Sequence, residues 1–350
     1  MAESSEKPPK KDRWFRDWWI YGRSSQPDIL IIALIILIGC GSSGAIWTIN
    51  KVRSSGSATD NSIVVYTSQD QVFAEPIFQE FTKQTGLKVR AVYDSEAVKT
   101  VGLANRLIAE KSRPQCDVFW NNEELRTVQL VEAGVLADGV GRTNFAHRMR
   151  QLVVRTESIT DPRVPLTLDA LTNSALRGKV ALAYPLFGTT SSHFLALRQT
   201  WGTERWERWC RALAANQPLL VDGNSVVVKL VAGGQALVGL TDSDDIRAMQ
   251  REGRKLLALG LSGGDDLMIQ NSVALVQGGP NPEGGRKLLE FLASKRVVQK
   301  LVDAGAVEPE SLVADEMICG DGRPIVPANW SAIAKSQAEG MAKLKDIFLR

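Results

Sequence analysis

The run Thr241-Asp242-Ser243-Asp244-Asp245 sets three carboxylates within four residues. Anions so close repel one another unless a cation or hydrogen-bond donors compensate them. The run continues ALVGL, a β-rich stretch, so the acids stand at the carboxyl end of a predicted strand, where α/β sheets bind their ligands. A structural role is equally open, because Asp242 or Asp244 would serve as N-cap of the following IRAMQREG. On an extended strand Asp242 is expected to point away from its neighbour. Two further junctions have the same dual character. FGTTSSH offers Gly188, Thr189, Thr190 and Ser191 at a predicted helix start, and DGNSVV offers Asn224. Such starts present N–H groups and hydroxyls that suit an anion or polar group, or simply cap the helix. Tyr66, Thr67, Ser68 and Asp70 close the first predicted strand. Hard cations favour oxygen ligands, which the carboxylates of Asp70, Asp244 and Asp245 could supply, with Thr241 and Asp242 beside them. An organic cation, and an anion held by Thr189, Thr190 and Ser191, stay open as alternatives.

Other chemistries lack raw material. No GxSxG elbow, HExxH, P-loop or GxGxxG fingerprint occurs, and the two histidines, His147 and His193, are too few for a multi-histidine metal site. A binding function without catalysis or resident cofactor is therefore expected. The net charge of +3 over 350 residues, with basic and acidic residues interleaved, excludes the basic stripe of a nucleic-acid binder. Cys40, Cys116, Cys210 and Cys319 form no CxxC pair, and Cys116 and Cys210 sit in apolar contexts that predict buried free thiols.

The elements that must position these residues alternate. SIVVYTS reads as strand, QVFAEPIFQEFTKQTG as a helix closed by Gly86, LKVRAVYDS as strand, a helix follows from about 96 to 111, and CDVFWN is again strand. A second cycle runs through GKVALAYP, the amphipathic ERWERWCRALAAN, SVVVKLVAGG and ALVGLTD, before EGGRKLLEFLASKRVVQKLVDAG closes the pattern with a long helical stretch. Such alternation predicts an α/β fold on a mainly parallel sheet.

Ahead of these elements, residues 29–49 form the most apolar run of the chain, uncharged and close to the ~20 residues of a membrane-spanning helix. Trp14, Trp18, Trp19 and Tyr21 suit a headgroup layer, and Lys10, Lys11, Arg13, Arg16 and Arg23 put the amino terminus on the cytoplasmic side. LIGC, ending at Cys40, competes as a lipobox, in which case Cys40 is lipidated and becomes the mature amino terminus. Either way residues 50–61 read as a tether and the folded part lies outside the cytoplasmic membrane.

The ordered set VVYTSQDQVFAEPIFQEFTKQTGLKV, CDVFWNNEELRTVQLVEAGVL, LRGKVALAYP, QALVGLTDSDD and NSVALVQGGPNPEGGRKLLEFLAS resembles the ferric-iron class of type II periplasmic solute-binding proteins. The resemblance implies two α/β lobes joined by two crossover strands, near 150–155 and 266–271, that close over a ligand. It implies residues 62–149 and 272–350 as the first lobe, 150–271 as the second, and an ABC permease and ATPase as partners. A sensory ectodomain is the alternative. Where ferric relatives carry a histidine or acid, an acid, and paired tyrosines, this chain has Asp70, then Asn121 and Asn122, then Asp244 and Asp245. These positions become the expected ligand contacts.

Overall fold

A computed structural model describes residues 62–93, 101–308 and 325–349. The expected membrane run 29–49, the lipobox cysteine Cys40 and the tether lie outside the described residues. Among the described residues no helix is long and apolar enough to cross a membrane.

β-branched and aromatic runs form the strands. β1 (Ser62–Thr67), β2 (Lys88–Tyr93) and β3 (Val118–Asn121) lie parallel, with β1 in the middle. β5 (Val180–Ala183), β6 (Leu219–Val221) and β7 (Val238–Asp242) repeat the arrangement around β5. Between the two sets run the antiparallel β4 (Arg142–Arg155) and β9 (Leu267–Leu275), and β8 (Leu256–Leu259) pairs with β4. The order β2-β1-β3-β9-β4-β7-β5-β6 makes one continuous sheet of two lobes. The sheet is thus parallel within each lobe and antiparallel at its centre, because the strands that pass between lobes must come back. β4 is longer than the expected crossover at 150–155: it faces β9 from Arg142 to Arg150 and β7 from Arg150 to Val154.

Helices cover both faces. α1 (Gln71–Thr85) ends where Gly86 takes φ 73°, a left-handed conformation costly for residues with a Cβ, and its N–H reaches Thr82 O. α2 (Val101–Ala109) and α3 (Glu124–Glu132) complete the first lobe's early half. α4 (Gly188–Trp201), α5 (Thr203–Ala215), α6 (Asn224–Ala232) and α7 (Ser243–Arg251) follow in the second, then α8 (Pro282–Leu292) and α9 (Lys295–Asp303) return to the first. Phe78, Phe81, Trp120 and Leu288 share one first-lobe core, and Phe194, Trp206, Trp209 and Leu240 share the main second-lobe core. Cys116 and Cys210 are buried free thiols, as expected, and burial pushes both thiols' pKa up.

α10 (Trp330–Phe348), which the resemblance implies for the first lobe, puts Ile333, Leu344, Ile347 and Phe348 into the second-lobe core. Phe348 meets Phe194 edge-on at 6.0 Å between ring centres. One turn after Ile333 on the same buried face, Gln337 meets Arg126 of α3. The helix therefore bridges the lobes, a placement that periodicity alone cannot reveal.

Candidate functional site

A cavity opens where β1, β3, β5, β6 and β7 end, and its wall includes Asp70, Asn122, Gly188, Thr189, Thr190, Asn224, Asp242, Asp244 and Asp245. Arg148, Ala183, Tyr184, Phe187, Asp222 and Gly223 complete it. The sequence brought most of the first group forward by one rule, that ligands lie beyond strand carboxyl ends.

Asp242 is the centre of the polar wall. It is buried, and its Oδ1 accepts from Arg150 Nη1 at 2.7 Å. Its Oδ2 accepts from Thr189 Oγ1 at 2.7 Å, Arg148 Nη1 at 3.2 Å and Asn224 Nδ2 at 3.2 Å. Burial opposes its ionisation, but the two guanidiniums outweigh burial and hold its carboxyl below the ordinary range. The expectation that Asp242 points away from its neighbour is therefore corrected: β7 continues through Asp242, and its carboxylate sits within 4.8 Å of those of Asp244 and Asp245 and against the arginines of β4. The capping role fails too, since Asp242 stands at the N-cap of α7 without a side-chain cap bond.

Arg148 ties the cavity together. Its Nη1 donates to Asp242 and, at 2.9 Å, to Asp244 Oδ2, while its Nη2 donates to Asn122 O of the first lobe at 2.7 Å. Arg150, wholly buried, also donates to Asn224 Oδ1 at 2.9 Å. Neither arginine stood out in RTNFAHRMRQLVVR. The signal that could have found them is their i, i+2 spacing, which sets both on one face of the crossover strand.

Asp242, Asp244 and Asp245 offer carboxylate oxygens all within 4.8 Å of one another. Burial, against the pull of Arg148 and with the push of Asp242, raises the Asp244 pKa. Burial, then Asp244 and Asp242, raises Asp245 well above the usual carboxylate value. Asp244 Oδ1 is buried without a hydrogen-bond partner.

Several expected contacts support the wall from behind it. Tyr66 is buried in the first lobe and its hydroxyl donates to Glu110. Thr67 Oγ1 donates to Trp120 O at 2.9 Å, and Ser68 Oγ donates to Asn121 and Asn122. Asn121 donates to Thr127 Oγ1 at 3.0 Å. Thr241 Oγ1 donates to Asn224 O at 3.1 Å and Ser191 Oγ to Met341 Sδ. These side chains fail as cavity contacts because alternate strand residues, and the inner turn of a helix, face the core. His193 is wholly buried with Nε2 2.8 Å from Asp265 O, and burial, with Arg150 nearby, lowers its pKa to about 3. It is a neutral core histidine. Tyr184, by contrast, lies on the cavity wall.

A "Fe(3+)-binding periplasmic protein" of Serratia marcescens is 26% identical over 205 residues, covering 53% of this chain. The match spans 58% of that relative's own length. The structure of iron-bound HitA from Pseudomonas aeruginosa superposes with a TM-score of 0.69 at 18% identity, over 82% of this chain and 99% of that one. AfuA from Actinobacillus pleuropneumoniae, with exogenous fructose-6-phosphate bound, gives 0.71 at 17% identity, over 82% and 98%. These likenesses establish the two-lobed periplasmic-binding fold. The family model for bacterial extracellular solute-binding proteins matches residues 63–306, so the chain belongs to that family.

Proposed function

We propose that the chain captures a small cationic or metal-containing solute between its lobes and delivers it to the permease and ATPase of an iron-type ABC importer. The carrying observation is the cluster of three carboxylates within 4.8 Å on the cavity wall. In this reading Asp70 contacts the solute from the first lobe and Asp244 and Asp245 from the second, oxygen donors of the kind hard cations prefer. The likeness to the Fe(3+)-binding protein of Serratia supports an iron-type cargo. An anionic solute is the second reading, favoured by the helix starts at Gly188 and Asn224 on the wall and by the sugar phosphate bound to AfuA. The three clustered carboxyl groups of Asp242, Asp244 and Asp245 on the same wall weigh against it.

Calorimetric titration with calcium, manganese, a polyamine and fructose-6-phosphate tests the choice. Asp244 and Asp245 have raised pKa values, so a bound cation must displace protons from them. Affinity for cations is expected to rise with pH as these carboxyl groups lose their protons, with proton release visible as a dependence of heat on buffer. Saturable binding of fructose-6-phosphate together with silence from every cation overturns the proposal.

The tether belongs to the same proposal. The protein is expected to fractionate with membranes and to be released when residues 1–55 are deleted. Loss of lipid labelling and processing in Cys40→Ser identifies a lipoprotein, whereas unchanged size and attachment identify an uncleaved helix.

A further inference from the structure

Two helix starts meet on the cavity wall beside the acids. α4 begins after Phe187 and α6 after Gly223, residues whose side chains hold no acceptor, and neither N-cap makes a side-chain cap bond. The helices run for 14 and 9 residues, so each brings the positive end of a dipole to the wall. Among the described residues the N–H groups of Gly188, Thr189, Thr190 and Asn224 have no hydrogen-bond partner. The two starts also touch, since Asn224 Nδ2 donates to Thr189 Oγ1 at 2.9 Å.

A buried cation stands with them. The side chain of Arg148 is 5% exposed and lines the same wall, and its Nε has no hydrogen-bond partner. A guanidinium N–H left unpaired where water is excluded calls for an acceptor from the solute. Arg148 Nη1, Thr189 Oγ1 and Asn224 Nδ2 all donate to Asp242 Oδ2, so the guanidinium and both helix starts surround one point. The acids adjoin it. Oxygens of Asp242, Asp244 and Asp245 lie within 4.8 Å of one another, and a carboxyl group keeps an acceptor oxygen whether or not it holds its proton. Donors and acceptors therefore stand side by side in a cavity of about 70 Å³. That is room for roughly five waters, so a solute that uses both sets must be short.

We propose that the cleft takes a small zwitterion, an ammonium group and an oxyanion a few bonds apart, with the ammonium against Asp244 and Asp245 and the oxyanion, a carboxylate or a phosphate, at the starts of α4 and α6 beside Arg148. This rests on the cation reading above, in which the acids contact the positive group of the solute, and adds a negative group to it. Helix starts and a guanidinium are the donors that an oxyanion needs.

Calorimetric titration of the full-length protein with β-alanine and 2-aminoethyl phosphate, and with their single-charge counterparts ethylamine, propionate and ethyl phosphate, tests the pairing. The zwitterion that fits is expected to bind at least about tenfold tighter than either counterpart, because its second group binds intramolecularly. Gly223→Asp places a carboxylate at the N-cap of α6, where the extended backbone at φ −156° accepts a side chain and aspartate caps well. The new carboxylate competes for the helix start and repels an oxyanion, so the zwitterion-to-ethylamine affinity ratio is expected to fall at least about tenfold. An unchanged ratio in folded Gly223→Asp overturns the inference. Should that variant fail to fold, the ratios in the unaltered protein decide. Ethylamine bound as tightly as both zwitterions overturns the inference and leaves the cation reading standing. Propionate or ethyl phosphate bound as tightly as the zwitterions, with ethylamine silent, overturns this inference and the cation reading together. Silence toward all five probes overturns the inference too, and binding of calcium or manganese by the same protein then keeps the cation reading.

Discussion

Arg150→Met is expected to destabilise the protein by about 3–5 kcal/mol, read as a fall in the urea midpoint at unchanged slope. The cause is an uncompensated buried charge. Arg150 is wholly buried, and its Nη1 donates to Asp242 and Asn224. Without it, Asp242 keeps Arg148 at 3.2 Å, Thr189 and Asn224, but loses the shorter of its two ion pairs, at 2.7 Å. Methionine fills much of the stem's volume, so the loss reports charge and not a cavity. Adding Asp242→Asn to the same chain should cost far less than the sum of the two single changes, because each partner alone strands the other. A full additive loss would mean that the pair contributes no coupling and that Asp242 is held by its hydroxyl and amide donors.

Asp244→Asn and Asp245→Asn are each expected to weaken cation binding by about 2–5 kcal/mol while leaving the fold intact, measured by calorimetry on protein of unchanged circular dichroism. An exposed contact would give less than about 1 kcal/mol. The two changes should differ in one respect. Asp244 is bonded to Arg148, so its neutralisation also releases that guanidinium, whereas Asp245 has no such bond among those described. Asp245→Asn is therefore the cleaner measure of a direct solute contact. Affinity unchanged in both variants would remove the carboxylates from the site and shift attention to Gly188–Thr190. Asp242→Asn is no neutral control, since that residue is the keystone of four hydrogen bonds.

The sequence made the lobes legible where a strand is a short apolar run and a helix stops at a glycine. SIVVYT and VFWN became β1 and β3, and Gly86 closes α1 as its place after an amphipathic run requires. It also located the cavity, since Asp70, Asn122, Thr189 and Asp244 all follow strand ends and all reach one wall. What it could not supply was the partner of each acid. Arg148 and Asp244 stand 96 residues apart and meet only because β4 and β7 pair, a long-range register that no local window contains. Tyr66 shows the opposite failure. It sits near a strand end yet faces the core and binds Glu110, because inward and outward positions alternate and one residue decides the side. The bridging of the lobes by α10 was hidden for the same reason, since an amphipathic helix declares that it packs and not on what.

The shared sheet has a consequence for how the chain reaches its native state. β3 is completed on one side by β9, and Thr127 lies 2.8 Å from Ser272, 145 residues further on. The first lobe therefore cannot complete its sheet until the whole second lobe has been made, and closing so long a loop is slow compared with local pairing. During that interval the unpaired edges of β3 and β4 are open to the wrong strand. A chain synthesised from its amino end would wait longest in that state. A substitution that loosens the pairing of β4 with β9 would therefore be felt first as poor yield.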